Sequence, residues 1–224
     1  MTFSIVARSA DSQLFGMAIA SSSPAVAARC AHARAGAGVV ASQNITDPSL
    51  GAQILDALTA GASSAEALAK ALGGTAHAAY RQVLVIGKEG LPVGHSGEHA
   101  LGVVAVALGT HAAAAGNLLA NREVPRAMVD AFESASGHLG ERLLCALRAG
   151  AARGGEAGPV HSAGLLIVRD VSWPIVDLRV DWSEADPVGE LTAVWRVYSP
   201  QIEDYVRRAL DPSFAPSFGV PGNP

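Results

Sequence analysis

The chain has 224 residues, 50% hydrophobic and only 16% charged, which is enough apolar material for one large domain or at most two small ones. A formal net charge of −4 without any lysine–arginine block argues against nucleic acid as a partner. A membrane-spanning helix is excluded too: the alanine-rich stretch 100–120 is interrupted by Gly102, Gly109, His111 and Gly116. Cys30 and Cys145 lie far apart and follow no metal spacing, so both read as buried thiols of a reduced compartment. The N-terminus lacks a basic region followed by a long apolar run, and a cytoplasmic location is expected.

In chain order, residues 3–8 and 14–20 alternate loosely around the polar turn Ala10-Asp11-Ser12-Gln13, which predicts a β-hairpin ending in Ser21-Ser22-Ser23-Pro24. Periodicity does not decide 25–35; propensity favours an alanine-rich helix. After Gly36-Ala37-Gly38, a strand over 39–44 ends in Gln43 and Asn44. Asp47 as N-cap and Pro48 at the first helical position open a helix carrying Leu50, Ile54, Leu55 and Leu58. Ser63 and Glu66 form a capping box for the next helix, which carries Leu68 and Leu72. Strands are predicted over 80–86, 91–96, 101–107 and 110–117, the last two apolar enough to be buried on both faces. Helices follow over 124–134 and 139–153, then strands over 162–169 and 175–180. Asp186-Pro187 caps a helix bearing Leu191, Val194, Trp195 and Tyr198, which Pro200 interrupts before 201–210. Residues 1–210 form a single domain, and 211–224 are an irregular proline-rich tail whose Phe214 and Phe218 suit docking in a homo-oligomer. Grouped strands alternating with grouped helices imply an α+β fold of two stacked sheets with helix pairs outside.

Thr2 is the first candidate for chemistry. A small second residue permits removal of Met1, and an N-terminal threonine then carries a hydroxyl nucleophile and a free amine on one residue. The amine, with an ordinary pKa near ~8, is a general base close to neutral pH. A strand held in a hairpin gives such a nucleophile the rigidity that it needs.

The opening TFSIVARSADSQLFGMAIASSS resembles the start of an N-terminal nucleophile (Ntn) hydrolase. More closely, the chain resembles the bacterial domain of unknown function 1028 family. ARAGAGVVASQN at 33–44, AGNLLAN at 115–121, and HSAGLLIVRD with VDLRVD within 161–181 carry that likeness to about Val188. The resemblance implies a four-layer αββα sandwich, an extended segment over 25–35, and hydrolysis of an amide or carbamoyl-type bond of a small molecule from Thr2. It supplies no substrate. A non-catalytic binding or assembly protein that keeps the fold and retains Met1 is the alternative.

Asn117 and Asn44 each end a predicted strand, where a side-chain amide faces a cleft; one of them suits an oxyanion donor. Ser21 and Ser22 return to the level of Thr2 and suit a proton relay or a bond to the terminal amine. In the family the glycine loop usually continues with Asp and Arg, and Ser162 follows a polar residue, usually Gln. Here Glu156 stands for the acid, no arginine follows, and His161 precedes Ser162. Asp177, Arg179 and Asp181 share one strand face and suggest an ion-pair ladder for a polar substrate or the amine. His95, His99, His111 and His161 match no metal spacing, and neither a dinucleotide fingerprint nor a G-x-S-x-G elbow occurs, so no metal or cofactor is expected.

Overall fold

The computed structural model describes residues 1–217. A six-stranded sheet contains, from edge to edge, β10 (Val176–Val180), β9 (Ser162–Val168), β2 (Phe15–Ser21), β1 (Thr2–Arg8), β8 (Ala112–Asn117) and β7 (Ala105–Leu108). A four-stranded sheet contains β3 (Ala31–Arg34), β4 (Gly38–Asn44), β5 (Arg81–Gly87) and β6 (Val93–Ser96). Neighbouring strands within both sheets are antiparallel.

The two sheets stack over an inner core that includes Val6, Met17, Ile19, Val39, Leu84 and Ile86. Helices α4 (Val124–Ser134) and α5 (Leu139–Ala152) cover the large sheet, packing Met128, Phe132, Leu143 and Leu147 on Phe3 and Ile5. Helices α2 (Ser49–Thr59) and α3 (Ser64–Gly73) cover the small sheet, packing Leu50, Ile54 and Leu68 on Val40, Val83 and Val85. The α+β architecture is thus helix, sheet, sheet, helix. Every residue of β1 is buried, because helices meet one face and the second sheet the other. Phe3, Ile5 and Ala7 point to the helices, which leaves Thr2, Ser4 and Val6 for the space between the sheets.

Local signals were legible in several places. The Ser63–Glu66 capping box forms with both reciprocal bonds, and Asp186 accepts from Gly189 N at 2.9 Å to start α6 (Pro187–Tyr198). Pro200 lies in a single 3-10 turn that separates α6 from α7 (Ile202–Leu210). Other expectations need correction. Residues 25–35 are neither one helix nor one strand: α1 (Val26–Cys30) gives way to β3, because only 31–34 find β4 to pair with. α2 begins at Ser49, one residue later than expected, with Asp47 Oδ1 accepting from Ser49 N. Tyr80 belongs to a 3-10 turn before β5. The strand expected over 101–107 shortens to β7, and as a sheet edge it leaves Val106 and Leu108 exposed. Val194 is also exposed on α6, and Cys145 is exposed while Cys30 is buried. Phe214 is exposed, and Phe218 lies outside the described residues. Among the described residues no helix is long and apolar enough to cross a membrane.

Candidate functional site

The site is built where β1 starts, at one end of the space between the sheets. Thr2 pairs with Asn117 across β1 and β8, and Ser21 pairs with Ser162 across β2 and β9. Thr2 Oγ1 lies 3.3 Å from Ser21 Oγ. Both hydroxyls donate to the carbonyl oxygen of Met1 in close hydrogen bonds. Thr2, Ser21 and Asn117 are all buried, so the strand end holds its polar groups out of bulk water.

A buried amide network supports Asn117 from the facing sheet. Asn117 Nδ2 donates to Gln82 Oε1 at 3.1 Å, and Gln43 Nε2 donates to the same oxygen at 2.8 Å. Gln82 Nε2 donates in turn to Ser96 Oγ at 2.8 Å and to Gly116 O at 3.0 Å. Ser4 Oγ donates to Gln43 Oε1 at 2.6 Å, which returns the network to β1. The two sheets are therefore tied by polar bonds at this end and by apolar packing behind it.

Glu156 closes the other side. After α5 the chain turns through Gly154 and Gly155, both at positive φ, and Ala120 N and Ala157 N bond it to the segment after β8. Both carboxylate oxygens of Glu156 accept from Ser22 N, at 3.0 and 3.1 Å. Burial pushes this carboxyl up to about 7, opposed first by the nearby N-terminal amine and then by the Ser22 bonds. The raised pKa fixes the sign of a pH effect. Between its ordinary 4.5 and 7 the folded chain holds a proton that the unfolded chain has lost. The contribution to stability is thus full below 4.5 and is lost as pH rises through 7. Glu156→Gln, permanently neutral, is expected to match wild type at pH 4 and to exceed it at pH 8 by up to about 3 kcal/mol. Urea midpoints at the two pH values decide this; a difference that does not grow with pH would exclude it.

The family model described as "Family of unknown function (DUF1028)" matches residues 2–191. The chain belongs to the DUF1028 family. The protein SPO2555 from Silicibacter pomeroyi, whose crystal structure is also assigned to DUF1028, is 26% identical with a TM-score of 0.84. That alignment covers 92% of this chain and 94% of the other. Anbu (ancestral beta-subunit) from Yersinia bercovieri superposes with a TM-score of 0.38 at 12% identity, covering 91% of this chain and 97% of that one. No curated protein matches the sequence.

Within this DUF1028 fold the remaining candidates separate. Ser22 contributes its backbone N–H to Glu156; its hydroxyl has no hydrogen-bond partner among the described residues. Ser162 Oγ donates to Ser23 O at 2.6 Å and accepts from Val26 N at 3.2 Å, so it fastens the turn into α1. Asn44, at φ 75°, donates to Tyr80 O at 2.5 Å and accepts from Leu101 N at 3.2 Å. Its amide is consumed in stapling two loops, which corrects its expected place in the site. Asp177 and Arg179 lie exposed on the edge strand β10, with β9 and β2 between them and β1. The expected ladder shrinks to Arg179 Nε and Asp181 Oδ1 at 3.6 Å, both well solvated. His161 Nδ1 lies 2.8 Å from Ser183 O, and its ring stacks on Trp182 at 4.3 Å.

Sequence reasoning missed Gln43, Gln82, Ser23 and Arg29. The two glutamines had a signal: each shares the inward-facing side of its strand with apolar residues, Val39 and Ala41 beside Gln43, Leu84 and Ile86 beside Gln82. Ser23 Oγ lies 2.8 Å from Ser21 Oγ and accepts from Arg29 Nη2 at 2.6 Å, a chain that only the fold of α1 creates.

Proposed function

We propose that this protein is an N-terminal-threonine hydrolase that cleaves a C–N bond, amide or carbamoyl-type, of a small molecule, and that removal of Met1 activates it. One observation carries the reading: Thr2 opens a central strand with its hydroxyl between the sheets, beside a second hydroxyl and a braced amide. Loss of Met1 takes away the carbonyl to which both hydroxyls donate and leaves a free amine on Thr2.

Thr2 Oγ1 then attacks the substrate carbonyl carbon while the Thr2 amine takes the hydroxyl proton. Ser21 Oγ and the Asn117 amide donate to the oxygen that becomes negative. The amine returns its proton to the leaving nitrogen as the C–N bond breaks, and water hydrolyses the ester on Thr2 to regenerate the hydroxyl. Glu156, buried and sensitive to the terminal charge, is the counter-ion for the protonated amine. Asn44, Ser162, Asp177 and Arg179 have no part in these steps.

One feature favours a second reading. With Met1 retained, its carbonyl occupies both hydroxyls, as a non-catalytic binding protein would keep it. Intact mass separates the two. The purified chain is expected to lack one methionine and to gain a single acyl group, on Thr2, from a β-lactone electrophile. A chain that keeps Met1 and refuses the label would leave the binding protein in place.

A further inference from the structure

Arg29 lies near the C-terminal end of α1, half-buried, and its guanidinium is held by the chain that precedes it. Nη1 donates to Pro24 O at 2.6 Å and to Ala25 O at 3.1 Å. Nη2 donates to Ser23 Oγ at 2.6 Å. Three of the five N–H groups of an arginine are thereby used. Among the described residues Nε–H and the remaining Nη2–H have no protein partner, and Nε is not among the buried unpaired atoms, so solvent reaches it.

The charge is equally unmatched. Arg81 lies by Asp47, and Arg169 pairs with Asp170 and Glu203. Among the described residues no carboxylate comes within ion-pair distance of Arg29, although its three bonds fix the head group in one orientation. A pinned, partly desolvated guanidinium with spare donors suits a planar carboxylate, which accepts at two oxygens. Its position gives the anion a role. From Thr2 Oγ1 the path runs through Ser21 Oγ and Ser23 Oγ to Arg29 Nη2, at steps of 3.3, 2.8 and 2.6 Å.

We propose that Arg29 binds a carboxylate of the ligand whose C–N carbonyl sits at Thr2, so that the substrate class is an N-acyl or N-carbamoyl compound bearing an acid group. This deepens the reading of the Thr2 end as the active site and rests on it for the place of the carbonyl. Glu156 accepts from Ser22 N with both oxygens and makes no ion pair with Arg29 among the described residues.

The test measures binding without turnover. Thr2→Ala protein, full length, is titrated with N-acetylglycine and with its neutral analogue N-acetylglycinamide, followed by calorimetry or amide NMR shifts. The acid is expected to bind at least about ten-fold more tightly than the amide, as a charge-assisted hydrogen-bond pair supplies. Arg29→Gln is expected to erase that preference, and Arg29→Lys to keep part of it. Equal binding of acid and amide, binding of neither at millimolar concentration, or a preference that survives in Arg29→Gln would overturn the assignment. Tighter binding of methyl phosphate than of acetate would also overturn it. If Thr2 proves unreactive while the acid preference vanishes only in Arg29→Gln, the hydrolase reading fails and the anion site stands.

Discussion

Thr2→Ala protein is expected to fold like wild type and to have lost nearly all hydrolysis. The substitution keeps a small second residue, so Met1 is still removed. Among the described residues the Thr2 hydroxyl bonds only to the adjoining Met1 carbonyl and to Ser21, at the buried start of β1. Deleting one such hydrogen bond costs about 1 kcal/mol, a small change in melting temperature for a chain of this size. Deleting a covalent nucleophile removes a step, not a contact, and costs several orders of magnitude in kcat. Thr2→Ser keeps the oxygen and the amine but loses the methyl that limits the hydroxyl to few rotamers, so a partial rate is expected. The ranking wild type, then Ser, then Ala at nearly zero is to be read with a panel of small amides and carbamoyl compounds, or with the acylating electrophile. Turnover by Thr2→Ala equal to wild type would end the hydrolase reading.

The parts of this molecule that were legible in the sequence are those written locally. The hairpin, the Ser63–Glu66 box, the Asp186-Pro187 start of α6 and the helix pairs are each set by residues a few positions apart. The place of Thr2, Ser21 and Asn117 at strand ends was legible for a related reason: strands that pair antiparallel bring their ends together. What could not be read depends on distant partners. Whether Asn44 faced a cleft or stapled loops depended on where Tyr80 and Leu101 came to rest. The alternation of Asp177 and Arg179 put them on one face, but only the strand order shows that this face is a solvated edge. Arg29 stood in an alanine-rich segment of undecided structure, and its link to Thr2 exists only because one short helix interrupts the extended chain.

The second large effect is expected at Gln82, which no ligand need touch. Its side chain is fully buried and makes four hydrogen bonds, to Gln43, Asn117, Ser96 and Gly116. Gln82→Ala leaves Asn117 Nδ2 and the Gly116 carbonyl without this partner in the interior, while Gln43 keeps its bond to Ala115 O at 3.3 Å and half-buried Ser96 turns to water. Two deserted polar groups and the cavity left by the side chain predict a loss of roughly 3–5 kcal/mol, large against the stability of an ordinary domain. Gln82→Glu tests the cause. A carboxylate still accepts from Gln43 and Asn117 but meets the Gly116 carbonyl without a proton to offer, and it brings a buried charge. The Glu variant should therefore be destabilised at pH 8 and partly restored at acid pH, where a protonated carboxyl again donates. Activity should fall further than stability in Gln82→Ala, because the amide of Asn117 loses the oxygen that orients it. Urea unfolding of the three proteins at two pH values, with turnover measured well below each midpoint, separates these effects. A loss under about 1 kcal/mol in Gln82→Ala would mean that water replaces the glutamine without cost. Packing and the bonds of Gln43 to Ser4 and Ala115 would then suffice to hold the sheets at this end.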